Sequence, residues 1–360
     1  MILSPLAAAP FGAAPLAAAS AAQASAAPAS AVAHPSIGTP GLWAVTLVVV
    51  LAVIALDFVI TRKPHEVAMR EAVKWSVIYV ALPLAFGVWV VAAHGGQLGL
   101  EYYTGYLVEK SLSVDNLFVF MLLLAAFAVP RELQQRVLLI GVAGALVLRG
   151  VFIALGAEML QRFDWTFLLF GAILVATSIK VLRDALGGAE QEVNPSDLRS
   201  VRLIRKFWPV TDTYRGTRLT VRENGRRALT PLLLVVVAVM TTDIVFAVDS
   251  VPAVYGITGD PYLVFVTNAF ALMGLRALYF VLEGALSRLV HLGYGLAAIL
   301  AFIGAKLTLH WAHGIWPATP EVPTLASLAV IVVVLAVVTA TSLWTTRRGV
   351  GTAQGVHLGG

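Results

Sequence analysis

Two acidic pairs interrupt otherwise apolar stretches of this chain. Glu109-Lys-Ser-Leu-Ser-Val-Asp115-Asn116 and Asp243-Ile-Val-Phe-Ala-Val-Asp249-Ser250 share one pattern: an acid, five residues, an acid, then a small polar side chain. Carboxylate, amide and hydroxyl oxygens without thiolate sulfur form a hard ligand set. Such a set suits Mg2+, Ca2+ or Mn2+ better than Cu+ or Zn2+. Asn268 could add an amide oxygen, or serve a helix–helix hydrogen bond equally well. One further acid, Asp57, and five bases, Lys110, Arg149, Lys180, Arg276 and Lys306, lie in similar apolar stretches. A charge at the bilayer centre costs from roughly 2.5 to over 10 kcal/mol, so each needs a partner or a function. Arg149, Lys180 and Lys306 read as partners that lock a helical bundle, and the two lysines stand near span ends where they can snorkel. The four acids of the repeated pattern read as a cation site, whereas Asp57 fits either role.

The elements that must position these groups follow from composition. Of 360 residues, 59% are apolar, 12% are charged, and none is cysteine. Roughly 25% charge is usual in soluble domains, so a soluble enzyme, a disordered chain and a nucleic-acid binder are excluded. Disulfides, thiolate zinc sites and iron–sulfur clusters are excluded with them. A membrane-crossing helix needs about 20 apolar residues. That rule predicts an all-α polytopic protein with nine spans: 42–61, 75–94, 103–127, 137–157, 165–182, 229–252, 262–282, 292–310 and 324–345. With the N-terminus outside, the inner loops hold nineteen Lys and Arg and the outer loops only Arg162. The positive-inside rule then sets the C-terminus, 346–360, in the cytoplasm of a cell-membrane protein. Residues 1–40, rich in Ala, Pro and Ser and without charge, read as a disordered external tail. The loop 183–228 carries ten basic residues, and Leu198–Pro209 alternates apolar with basic residues. That alternation suits an interfacial helix near anionic lipid, or a solvated linker that could dock soluble partners.

The charges also recur in order. After the acid pairs come Leu148-Arg149 and Leu275-Arg276, then Ile173-Leu174 to Lys180 and Ile299-Leu300 to Lys306. Spans three to five (103–182) thus repeat as spans six to eight (229–310). Three helices are an odd number, so the copies cross in opposite directions, which is the inverted repeat of many secondary transporters. Residues six apart on a helix differ by about 240° after one full turn. Either the two acids of a pair face different partners, or the helix unwinds beside them. Pro252, two residues beyond Ser250, marks a place for such a break.

Other chemistry finds little footing. His310 and His313 form an HxxH at the outer end of span eight, a weak candidate for a surface metal contact. HExxH, P-loop and GxSxG motifs are absent. An intramembrane aspartyl protease could use Asp115 and Asp249 but would not need the accompanying Glu109, Asp243 and bases. No resident cofactor is expected.

The long motifs EKSLSVDNLFVF (109–120), TDIVFAVDSVPAV (242–254) and DPYLVFVTNAFALMGLRALYF (260–280) closely resemble the TerC/Alx family of integral membrane proteins. TPLLL (230–234) and GLAAILAFIGAKL (295–307) extend the resemblance from about Trp43 through span eight. It implies a transporter rather than an enzyme, exporting Mn2+ or in some settings Ca2+, with a name drawn from tellurium resistance. By position, Glu109, Asp115, Asn116, Asp243, Asp249 and Ser250 match the family motif. Many members carry a Glu where this chain has Met240, which could alter coupling or bias the site towards a softer metal. The alternative reading is a membrane scaffold of a stress-resistance complex, docking partners through 183–228.

Overall fold

The computed structural model describes residues 36–60, 69–187, 198–223, 226–282 and 291–355; the side chains of Ile60, Asp115, Arg226, Arg276, Leu282 and 347–355 are outside that description. Most of the tail read as free, residues 1–35, is therefore outside the described residues, as are the Asn224-Gly225 connection and 188–197 of the long loop. The described residues are mostly helical: α1 Pro40–Ile60, α2 Met69–His94, α3 Gly96–Ala126, α4 Arg131–Arg162, α5 Trp165–Gly187 and α6 Arg199–Phe207. A hairpin of β1 Thr220–Glu223 and β2 Arg226–Leu229 follows, then α7 Pro231–Tyr255, α8 Pro261–Met273, α9 Leu275–Leu282, α10 Leu292–Ile315 and α11 Thr324–Gly355. Seven of the described helices (α1, α2, α4, α5, α7, α10 and α11) are long and apolar enough to cross a membrane. At 31 residues α3 has the length but carries Glu101, Glu109, Lys110 and Asp115. The expected single span 262–282 is instead two helices, 13 and 8 residues long, meeting at Gly274.

Helix α7 corrects a second expectation. It runs through Pro252 to Tyr255 without a break. Proline so close to a helix end removes only one ladder donor, and the turn beyond closes through Gly256 N–H on the Pro252 carbonyl at 2.9 Å. The acids are therefore displayed on continuous helices. The residues 36–39, read as part of the tail, are anchored: Ser36 Oγ donates to Asp260 Oδ1 at 2.6 Å and Ile37 N to Asp260 Oδ2 at 2.8 Å. Asp260 also accepts from Tyr262 N at 2.9 Å as the N-cap of α8.

Cross-links between helices fix their directions. Thr258, just beyond α7, donates to Glu101 near the start of α3 at 2.8 Å. Tyr214, in the segment leading to β1, donates to the Phe127 carbonyl at the C-cap of α3 at 2.8 Å, and Thr230, the N-cap of α7, closes on the Arg218 carbonyl at 2.8 Å. So α3 and α7 run antiparallel. Helices α4 and α8–α9 do likewise, tied by Tyr279 to Gln134 at 3.3 Å and by Arg149 to Asn268 at 2.9 Å. Helices α5 and α10 form the most extensive contact, also antiparallel. A Cβ on Gly171 would lie 2.9 Å from the Gly304 carbonyl oxygen, and one on Gly304 3.0 Å from that of Gly171. One end of the same seam is held by Ser178 Oγ donating to the Ala297 carbonyl at 2.8 Å.

Candidate functional site

Residues seven apart on a helix differ by about 700°, which returns them to one face. Glu109 and Asn116 thereby share a face of α3, and Asp243 and Ser250 share a face of α7. Both faces point at Arg149 of α4, whose guanidinium is fully buried. Arg149 grips Asp243 with two parallel hydrogen bonds, Nε to Oδ2 at 3.0 Å and Nη2 to Oδ1 at 3.1 Å. Its Nη1 donates to Glu109 Oε1, to Asn268 Oδ1 at 2.9 Å and to Ser250 Oγ at 3.1 Å. With its amide oxygen turned to the guanidinium, Asn116 accepts from Nη2 at 3.2 Å while its nitrogen donates to the Leu112 carbonyl at 3.1 Å. Asn268 is aimed in the same way, its Nδ2 tied back to the Val264 carbonyl at 3.0 Å.

Five of the seven residues read as cation ligands thus converge on one cation, and that cation is Arg149. Arg149, expected as a bundle lock, and the acids, expected as a separate site, form one cluster. Burying two carboxylates is strongly unfavourable unless they are paired and hydrogen-bonded, and the planar five-donor guanidinium serves both at once, as a lysine could not. The pairing is incomplete: Glu109 Oε2 is buried and has no hydrogen-bond partner among the described residues.

Asp249, six residues beyond Asp243, is only partly buried and makes no side-chain ion pair among the described residues. Asp115 and Arg276 lie on α3 and α9, and their side chains are outside the described part of the structure. The remaining charges stand apart from the cluster. Lys110 reaches the Ala271 carbonyl at 3.4 Å beside the Gly274 interruption, a feature that sequence reading missed. Lys180 is exposed, Lys306 half-buried and Asp57 buried. Met240 packs over Gly144 of α4, where a Cβ would lie 2.8 Å from its sulfur, so its thioether fills the helix seam. His310 bonds Glu321 at 3.0 Å and His313 the Thr319 carbonyl at 2.6 Å, both holding the α10–α11 connection. Among the described residues no group of three or more His, Asp or Glu side chains is placed to hold a metal ion.

Residues 94–350 match the model of the integral membrane protein TerC family. The Mycobacterium tuberculosis protein named "Uncharacterized membrane protein Rv2723" is 44% identical over 314 residues, spanning 84% of this chain and 79% of its own. The Myxococcus xanthus "Uncharacterized membrane protein STKORF319" is 42% identical over 261 residues, 72% of this chain and 81% of its own. The Escherichia coli protein named "Putative membrane-bound redox modulator Alx" is 42% identical over 272 residues, 73% of this chain and 84% of its own. No solved structure matches the chain.

Proposed function

The chain belongs to the integral membrane protein TerC family, and on that premise we propose that it exports a divalent cation, Mn2+ before Ca2+, from the cytoplasm by alternating access. The observation that carries this reading is the buried cage of carboxylate, amide and hydroxyl oxygens from α3, α7 and α8 around a positive charge. A cage of oxygens alone favours hard divalent ions. Arg149 acts in it as a tethered cation that offsets one of the two acid charges while no metal is bound. Metal taken up by the carboxylates must displace or repel that guanidinium, so occupancy and conformation are linked. Glu109, with one oxygen unpaired, is the carboxylate best placed to exchange a proton for metal.

The architecture we propose is nine spans, N-terminus outside, with α3–α5 and α7–α10 as inverted copies. Each first-copy helix runs antiparallel to its counterpart, which an inverted repeat requires. The α5–α10 seam supports it further. Matching Ile173-Leu174 to Ile299-Leu300 exchanges Gly171 with Ala297 and Ser178 with Gly304. That exchange turns the Gly171–Gly304 contact into the Ser178–Ala297 contact, and both are present.

Uptake of radioactive Mn2+ by inverted vesicles tests the proposal. Glu109→Gln and Asp243→Asn, which alter the cage itself, should each abolish uptake while the protein remains inserted. Wild-type uptake by both variants would sink it. A second reading, a scaffold that docks soluble partners, is favoured by the exposed side chains of Arg199, Arg202, Arg205, Lys206, Arg215, Arg218 and Arg222. It predicts the reverse pattern: loss of phenotype on reversing those charges, with Glu109→Gln silent. The redox role in a relative's name would, in this cysteine-free chain, have to run through something other than thiols.

A further inference from the structure

Helix α6 has three surfaces. Leu198, Val201 and Ile204 turn inward, and Val201 is wholly buried against the α7 region. About 100° per residue then places Leu203 and Phe207 together on the outer side, beside a strip formed by Arg199, Arg202 and Lys206. The outer apolar side chains are uncovered: Leu203 is 59%, Phe207 68% and the adjoining Trp208 56% exposed. An apolar edge next to a basic edge is the arrangement of a helix lying in a membrane interface.

The depth of this edge is fixed by the backbone. Leu229 N donates to the Pro209 carbonyl at 2.9 Å and Thr211 N to the Leu229 carbonyl at 2.9 Å. Trp208 is therefore pinned beside the residue that precedes the N-cap of α7, where a membrane-crossing helix begins. The Tyr214 bond to Phe127 ties the same segment to the end of α3. The Trp208 end of the exposed Leu203–Phe207–Trp208 edge is thus held beside the ends of α7 and α3, the depth at which headgroups would give way to acyl chains.

We infer that α6 is an anionic-phospholipid contact: Leu203, Phe207 and Trp208 enter the acyl boundary while Arg199, Arg202 and Lys206 bind lipid phosphates. Its occupant is the surrounding leaflet rather than a protein. The combination of positive charge and apolar area at that depth selects acidic over zwitterionic lipid. Each basic side chain close to an anionic surface is worth about fivefold in a binding ratio.

The cysteine-free sequence makes the test direct. Leu203→Cys in the full chain is labelled with bimane and reconstituted in phosphatidylcholine vesicles containing 30% phosphatidylglycerol. Doxyl-labelled phosphatidylglycerol and doxyl-labelled phosphatidylcholine are then compared as quenchers at equal mole fraction. The expected ratio of quenching is well above about five in favour of the anionic lipid, falling to about five in the Arg199→Gln/Lys206→Gln background, where Arg202 remains. In that background, quenching by phosphatidylcholine should persist because the apolar contact remains. Two results overturn the inference: quenching by neither lipid, which leaves the edge in water and open to a soluble partner, or equal quenching by both in the unsubstituted background. All three substitutions are on exposed side chains, and Phe207→Cys supplies an independent reporter on the same edge.

Discussion

Removing the guanidinium is the most informative perturbation of the buried cluster. Arg149→Gln deletes the charge that serves both Asp243 and Glu109 and leaves two carboxylates at zero exposure. Breaking a buried ion pair from one side costs about 3–5 kcal/mol, because the abandoned charge stays desolvated. The variant should therefore unfold more easily in SDS titration of the purified protein, by about that amount. Neutralising all three groups, as Glu109→Gln/Arg149→Met/Asp243→Asn, should restore most of the loss, since an apolar or neutral replacement for a whole buried pair is often nearly neutral. Transport should not return with it. Mn2+ discriminates further. If the oxygen cage is a metal site held by a tethered cation, added Mn2+ should stabilise Arg149→Gln more than wild type. At a hundredfold excess over its dissociation constant a ligand contributes about 2.7 kcal/mol. Arg149→Gln with wild-type stability and no greater response to Mn2+ would refute the reasoning.

Gly304→Val should destabilise the α5–α10 seam by about 1–3 kcal/mol, because its Cβ would meet the Gly171 carbonyl at 3.0 Å; SDS titration would show it, and no loss would mean the helices part freely. Tyr214 is pushed up to about 12 by burial. A neutral acid with a raised folded value stabilises fully below its ordinary value of 10.0 and loses that contribution as pH rises through about 12. Stability should then decline over that window in wild type and less in Tyr214→Phe, which gives up about 1 kcal/mol at neutral pH with its hydrogen bond to Phe127; identical alkaline profiles would exclude Tyr214 as the cause.

The all-α membrane architecture was legible because seven of the described helices are long and apolar enough to cross a membrane. The expected spans fall on the observed helices to within a turn or two at nearly every end. The split at Gly274 was not legible, since an unbroken apolar run reads as one span whether or not its ladder is interrupted. The hairpin carried a signal that went unused: Asn224-Gly225 between Thr220–Glu223 and Arg226–Leu229 is a strong short-range hairpin pattern. The cluster was half legible. Its residue types mark it, but the spacing that matters is seven rather than the six that separates the acids. The spacing of seven joins each first acid to the small polar residue that shares its face. The hub itself was hidden because a lone arginine in a span says nothing about which helices its long side chain will reach.

That hub also bears on how the proposed exporter would alternate. Under the inverted repeat, Glu109 and Asp243 exchange with one another, so the pair they form is common to both facing states. Arg149 has no such symmetry; its counterpart by position is Arg276. A pair held by Arg149 in this conformation is therefore open to Arg276 in the oppositely facing one. Removing one arginine should bias the protein towards the state served by the other, by up to the same 3–5 kcal/mol, or about 150- to 5,000-fold in population. In the cysteine-free background, Val254→Cys, close to the end of α7, can be probed with a membrane-impermeant maleimide from either side. Arg149→Gln and Arg276→Gln should change its labelling in opposite directions. Changes in the same direction, or none, would show that the two arginines do not trade the acid pair between them.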